Sequence, residues 1–382
     1  MPWSETNPMN ERLKFVALAQ EGLYSMTELC ARFGISRDTG YKIRRRYEAE
    51  GIEGLTDRSR APKHCPHRIP EPLQALLLDL RREHPKWGPR TLLAYLRRHH
   101  PDLVLPAPST VGDLFRRAGL VQPRPHQRTW THPGRAQTQV HAPNQLWTTD
   151  FKGQFRTRDA QLCYPLTIAD AHTRFVLAVD GLSSTAHSGA RAVFERVFRT
   201  YGLPQAIRSD NGGPFATKAV SGLSQLSVWW TQLGIQHQRI EPGHPEQNGS
   251  HERMHRTLKE ATQWPPAADG PEQQARFDHF RAEFNDERPH QALGMQTPGS
   301  LYGASEREMP ERIPAPEYPG HCEIRQVRGN GILYFRDRTI FLSELLIGQQ
   351  VALEEIADGV WSIYFYGLLL ARLDERTFEI SG

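Results

Sequence analysis

Apolar positions in the first fifty residues recur at helical spacing. Leu13, Val16 and Ala17 fall at i, i+3 and i+4, widened by Phe15 and Leu18. They predict a helix over 11–21 with Asn10 as its cap. Ser25-Met-Thr-Glu28 has capping-box spacing and opens a second helix through Leu29, Ala31 and Phe33. Gly34 stops it, and Ser36 caps a third helix running through Tyr41 and Arg44-Arg45-Arg46. A short helix, a glycine turn and a basic helix make the helix-turn-helix pattern. Residues 72–84, 89–99 and 109–118 predict three further helices, a second and less distinctive module.

The pattern changes at Asn144. Strand formers predict strands at 146–151, 163–169 and 174–180. There follow a helix (187–201), a strand (205–209), a helix (220–233), a strand (235–240) and helices over 246–262 and 271–285. Three strands in succession, then alternation, is an α/β pattern with a mixed sheet. Beyond a proline-rich stretch, short strands at 323–327, 332–335, 338–341, 350–355, 360–366 and 368–373 suggest a small SH3-like β-barrel. The expected fold class is multidomain: all-α helix-turn-helix modules, an α/β core and a small C-terminal β-barrel. The expected boundaries are 1–57 and 70–121 for the two helical modules and 122–143 for a linker. They continue with 144–302 for the core, 303–321 for a second linker and 322–382 for the barrel.

Charge sharpens this picture. Residues 1–143 hold 23 Lys+Arg and 14 Asp+Glu, residues 144–300 hold 16 of each, and residues 301–382 hold 8 and 13. A basic amino-terminal part points to nucleic acid, with a solvated basic surface as the alternative. On the third helix Arg37, Thr39, Lys42, Arg44, Arg45 and Arg46 are the residue types that reach bases or phosphates. The four cysteines are scattered and form no CxxC pair, which speaks against a disulfide framework or a cysteine zinc site. No apolar run reaches the ~20 residues of a membrane span, and no targeting segment is expected. The expected location is the cytoplasm, on the nucleoid.

Three acids stand out by setting. Asp150 ends a predicted strand, Asp210 leads into Asn-Gly-Gly, and Glu252 is early on a helix. Carboxylates at strand ends and on a facing helix can converge, and hard oxygen ligands suit Mg²⁺ or Mn²⁺. An aspartate at a strand end is more often a turn residue. Position alone does not select these three from 43 acids.

The surrounding blocks do select them. Leu146-Trp-Thr-Thr-Asp150-Phe, Ile207-Arg-Ser-Asp210-Asn-Gly-Gly-Pro-Phe215 and His244-Pro-Glu-Gln-Asn-Gly249-Ser-His-Glu252-Arg253 resemble the three blocks of the retroviral-type integrase core. DDE-type insertion-sequence transposases share that core. Phe284-Asn-Asp-Glu-Arg-Pro-His290, Thr297-Pro298 and Lys86-Trp-Gly-Pro-Arg90 resemble flanking segments of the bacterial enzymes. The resemblance implies an RNase H-like core, with Asp150, Asp210 and Glu252 as catalytic residues and ligands of two Mg²⁺ or Mn²⁺ ions. It further implies a polynucleotidyl transferase that cleaves and transfers DNA strands at the ends of a mobile element. The implied partners are terminal-repeat and target DNA and further copies of the chain, with no membrane. The alternatives are an inactive transposase-derived DNA-binding regulator and an RNase H-like nuclease.

Asp210 and Glu252 are further apart in sequence than in many relatives, and the stretch from Thr217 to Trp230 is expected to hold the extra residues. Glu246 is the rival third carboxylate. Arg256 and Lys259 share a helix face with Glu252 and would face DNA, the alternative being an i,i+4 ion pair in solvent. His244, Asn211 and Asn248 are candidates for shaping the site. Arg288 and His290 are expected to brace a helix end, and Asp170 and Asp180 to serve turns.

Overall fold

Asn7 and Pro8 set the start of the first described helix. In the computed structural model, which describes residues 7–58, 68–121, 140–217, 222–241 and 249–381, helix α1 is Pro8–Glu21 and Asn7 Oδ1 accepts from the Met9 amide at 2.9 Å. The cap is therefore three residues earlier than the apolar stripe suggested, because proline suits the first helical turn. Helix α2 (Met26–Arg32) carries the Ser25/Glu28 capping box, and α3 (Arg37–Glu50) is capped by Ser36. Phe15, Val16, Leu29, Cys30 and Leu55 form the core beneath them. Gly40 makes that packing possible, since a Cβ there would come within 2.4 Å of Cys30 Sγ. This three-helix body belongs to the first of two compact units, Met1–Ile69; the second is Pro70–Gly382.

The second unit begins with helices α4 (Glu71–Glu83), α5 (Pro89–His99) and α6 (Pro108–Arg117), whose buried residues include Leu77, Leu92, Leu96 and Phe115. Trp87 is buried, with His84 stacked on it at 3.9 Å. The expected 122–143 linker falls largely outside the described residues.

A mixed sheet follows. Strands β1 (Leu146–Phe151), β3 (Leu162–Asp170) and β4 (Val176–Leu182) are antiparallel neighbours, and the two-residue β2 (Phe155–Arg156) pairs with the start of β3. After helix α7 (His187–Tyr201), strand β5 (Ala206–Ser209) runs parallel to β1. Helix α8 (Gln225–Gln232) leads to β6 (Gln236–Arg239), which is parallel to β5. Helices α9 (Gly249–Thr262) and α10 (Gly270–Ala282) complete the layer architecture. Phe194, Phe198, Trp229 and Trp230, from α7 and α8, cover one face through Trp147, Ile168 and Ile207. Met254, Leu258, Phe277 and Phe280, from α9 and α10, cover the other through Val176 and Val179. Within the 217–230 stretch, residues 225–230 are therefore core helix, with two fully buried tryptophans.

The segment after the core is tied down rather than loose at its start. Tyr302 stacks on Phe175 at 4.3 Å and donates to Asn144 Oδ1 at 2.8 Å. Arg307 donates to the carbonyls of Pro204, Leu233 and Gly234.

The carboxy-terminal strands are β7 (Glu323–Gln326), β8 (Ile332–Phe335), β9 (Arg338–Phe341), β10 (Gln350–Ala357), β11 (Val360–Phe365), β12 (Leu368–Asp374) and β13 (Ile380–Ser381). Their pairing gives an open antiparallel sheet, β13-β12-β11-β10-β7, and a separate β8-β9 hairpin. The two share one core of Leu333, Phe335, Val351, Leu353, Ile363 and Phe365. The backbone ladder thus stays open where the sequence suggested a closed barrel.

Candidate active site

Strand register brings two of the three acids together. Thr148 of β1 pairs with Arg208 of the parallel β5. Counting two residues on from each puts Asp150 and Asp210 level at the carboxyl ends of adjacent strands. Asp150 is pushed up to about 7, first by burial and then by the Asp210 carboxylate, with Glu252 a smaller contribution of the same sign. Burial also raises Asp210, against a backbone hydrogen bond from Gly212. Asp210 Oδ1 is buried without a hydrogen-bond partner. Glycine at 212 permits this approach, since a Cβ there would sit 2.9 Å from Asp210 Oδ2.

Two half-buried carboxylates, both raised by burial and one also by the other's charge, with one oxygen lacking a donor, suit a hard divalent cation. Glu252 is exposed on the first turn of α9. It is within electrostatic reach of Asp150 but not closed onto the pair. Among the described residues no three His, Cys, Asp or Glu side chains are gathered into a metal-binding group. His244, Glu246 and Asn248 lie outside the described residues. Asn211 donates to the Ile240 carbonyl at 2.7 Å, which ties the loop after β5 to the end of β6.

A buried polar chain behind Asp150 escaped sequence reasoning. The Thr167 hydroxyl donates to the Asp150 carbonyl at 2.9 Å and lies 2.7 Å from His251 Nε2 and 2.6 Å from His255 Nε2. A hydroxyl has one proton, so both imidazoles donate to it through Nε2. His251 Nδ1 then accepts from Thr148 Oγ1 at 2.8 Å. His255 Nδ1 faces Asp150 Oδ2 at 3.5 Å. Burial lowers both histidines, His251 to about 3 and His255 to about 2. The His255–Asp150 contact is therefore polar rather than an ion pair, and a protonated Asp150 has an acceptor in His255 Nδ1. The histidines bracket Glu252 on α9, so the same chain fixes the helix against β1 and β3. Their i,i+4 spacing around Glu252 was the signal available in sequence.

Arg256 and Lys259 are exposed on α9, as is Glu252. Among the described residues no ion pair joins Glu252 to Arg256. His290 packs on Phe284 at 4.5 Å and contacts its carbonyl, a bracing role. Asn285, also missed, bonds both the amide and the carbonyl of Val176 at the start of β4. Asp170 organises the β3–β4 turn through the Thr173 amide and hydroxyl. Both Asp180 carboxylate oxygens instead accept from one nitrogen, Arg196 Nη2, at 2.6 and 2.7 Å.

On α3, Arg37, Thr39, Lys42 and Arg45 are exposed. Arg44 pairs with Glu48 at 2.7 Å, and Arg46 turns back to the Thr56 carbonyl.

Known proteins resemble this chain over both its helical modules and its core. Residues 140–245 and 233–298 each match an integrase core domain family, residues 11–63 a helix-turn-helix domain family and residues 39–115 a homeodomain-like domain family. The chain is 28% identical over 269 residues to the insertion element IS476 uncharacterized 39.2 kDa protein of Xanthomonas euvesicatoria, covering 68% of this chain and 72% of that protein. It is 29% identical over 241 residues to the insertion element IS407 uncharacterized 31.7 kDa protein of Burkholderia multivorans, covering 60% and 80%. It is also 30% identical over 159 residues to the Gag-Pol polyprotein of baboon endogenous virus, covering 42% of this chain but only 9% of the polyprotein. Among solved structures, the HTLV-2 integrase catalytic core domain in complex with magnesium aligns at 16% identity and a TM-score of 0.34, covering 42% of this chain and 97% of that one. The chain thus joins helix-turn-helix domains to an integrase core domain, the domain content of an insertion-sequence transposase with an integrase-type core.

Proposed function

We propose that this protein cleaves and transfers DNA strands at the ends of a mobile element, with Asp150, Asp210 and Glu252 as its metal-binding catalytic residues. The observation that carries the reading is the levelled Asp150–Asp210 pair, with its raised proton affinity and unpartnered Asp210 oxygen. Asp150 and Asp210 would hold Mg²⁺ or Mn²⁺, and Glu252 would close on the ions from α9. Bound ions supply Lewis-acid activation of the attacking oxygen and neutralise charge on the leaving oxygen. The protein fixes the carboxylates through strand register and fixes α9 through Thr167, His251 and His255. Water would first cleave a phosphodiester at the element end, leaving a 3′-OH. That hydroxyl would then attack a target phosphodiester, forming one P–O bond as another breaks.

Arg37, Thr39, Lys42 and Arg45 on α3 would meet terminal-repeat DNA, with Arg44 and Arg46 as outer contacts once released from their internal partners. Arg256 and Lys259 would meet the strand being cut. The helical modules (1–57 and 70–121), core (144–302) and carboxy-terminal body (322–382) would work as separate tasks on the nucleoid, in a homo-multimer that holds two ends. The acidic carboxy-terminal sheet and hairpin are read as an SH3-like body for subunit contacts. The test is cleavage of a duplex carrying the element end. Wild-type protein should cut it with Mg²⁺ and not with EDTA, and Asp150→Asn should bind it without cutting. Mg²⁺-dependent cutting by Asp150→Asn would reject the assignment.

A further inference from the structure

Four arginines from three parts of the fold line one cavity of about 570 Å³ beside α9. Arg174 is on the β3–β4 turn, with a positive φ of 63°. Arg253 and Arg256 are one turn apart on α9, and Arg288 follows a π-helical turn, Glu283–Glu287. Among the described residues, no side-chain hydrogen bond or ion pair engages any of these four guanidinium groups. Arg288 rests over the Phe284 ring at 6.0 Å.

The acids at hand are engaged elsewhere. Asp170 lines the cavity, but its oxygens accept from the Asn144 amide and from the Thr173 amide and hydroxyl. Glu283 and Glu260 act on Arg288 from a distance. Glu283 is 3.3 Å from His84, and Glu260 is 3.4 Å from Lys86. Burial and the neighbouring Arg253 lower the proton affinity of Arg174, and burial lowers that of Arg288. Positive charge held in a partly buried cavity with no acceptor in contact is costly unless an anion completes it. Guanidinium forks match phosphate oxygens two at a time.

We infer that this cavity is a second phosphate site, which grips the backbone of the DNA strand alongside the carboxylates of the cutting site. The inference rests on the reading of the chain as a DNA-cutting protein. Two features favour a nucleic-acid strand over a small free anion. Arg253 and Arg256 are exposed along the α9 rim, where they can follow successive phosphates while Arg174 and Arg288 hold from within. Arg256 is also one turn on from Glu252 and shares its helix face, so a strand seated here runs past the third carboxylate.

The experiment uses the full-length protein and phenylglyoxal, which modifies arginine, with mass spectrometry as readout. A fluorescein-labelled duplex should protect Arg174 and Arg253 while leaving Arg372 on β12 unchanged. In parallel, Arg174→Gln/Arg253→Gln should weaken duplex binding about tenfold at moderate salt. It should also lower the slope of log Kd against log salt by about 2, one counterion for each charge removed. If that variant does not fold, wild-type protection still decides. Duplex binding with equal modification of both arginines, free or bound, would overturn the inference. Protection by inorganic phosphate at matched concentration, but not by duplex, would overturn it in favour of a small anion. Failure of the underlying reading looks different: the wild-type protein would neither bind nor cut duplex. Failure of this inference alone leaves binding and cutting intact while both arginines stay reactive.

Discussion

Replacing Asp150 with asparagine should stabilise the metal-free protein while ending its activity. The native carboxyl is pushed from 3.8 to about 7 by burial and by Asp210. A difference of that size corresponds to at most about 4 kcal/mol. The sign follows from proton binding. Between these two values the unfolded chain has released the proton and the folded chain retains it. Wild-type stability should therefore fall as pH rises from about 4 to 7 and then level off. Asparagine carries no charge at any pH, and its amide can donate to His255 Nδ1 as the protonated acid would. Urea denaturation in EDTA should find the two proteins alike near pH 4. By pH 8 the variant should be the more stable by a few kcal/mol. Adding Mg²⁺ should then stabilise the wild type and leave the variant unmoved. A variant equal to or weaker than wild type at pH 8 in EDTA would refute the claim that Asp150 and Asp210 form a strained, cation-seeking pair.

Other outcomes follow from named contacts. Thr167→Val leaves the Asp150 carbonyl and two imidazoles without their shared hydroxyl; it should cost about 2–3 kcal/mol in urea denaturation. Gly40→Ala forces a Cβ against Cys30 Sγ and Phe15. Overpacking of about 1–3 kcal/mol should outweigh its gain in helix propensity, and a lowered melting transition of the amino-terminal unit checks this. Arg37→Ala/Lys42→Ala/Arg45→Ala should weaken binding of element-end DNA and lower its salt slope by about 3 in a titration by fluorescence anisotropy. Arg256→Ala/Lys259→Ala should reduce strand transfer across different target sequences, with partial recovery at low salt; wild-type activity at every salt would remove the DNA-facing assignment.

Local rules carried much of the fold into the sequence. Ser25 with Glu28, and Ser36 ahead of Arg37, mark helix starts because a hydroxyl satisfies an otherwise open amide. Alternating strand formers placed β8, β9 and the β10–β12 run closely. What stayed hidden depends on partners distant in sequence. Nothing local distinguishes Arg307 as a clamp on three carbonyls, or Asn285 as a mimic of a strand neighbour to Val176. Barrel closure is likewise a question of long-range pairing, which short strands do not specify. At the candidate site, Asp150 and Asp210 were legible only through their blocks, and their levelling is a fact of β1–β5 register. The Thr167 hydroxyl, shared by His251 and His255, could not be read, because β3 and α9 are some 80 residues apart. The bond from Arg46 to the Thr56 carbonyl is equally invisible in sequence, where Arg46 is one basic residue among several on a basic helix.

The central claim is that three carboxylates form one metal-dependent site for strand chemistry. Its most direct measurement is joining of a pre-cut element end to target DNA in Mg²⁺, run side by side for wild type, Asp150→Asn, Asp210→Asn and Glu252→Gln. The account predicts joined product from wild type alone, with end binding retained by all four proteins. Joined product from any one of the three variants at wild-type level would contradict it.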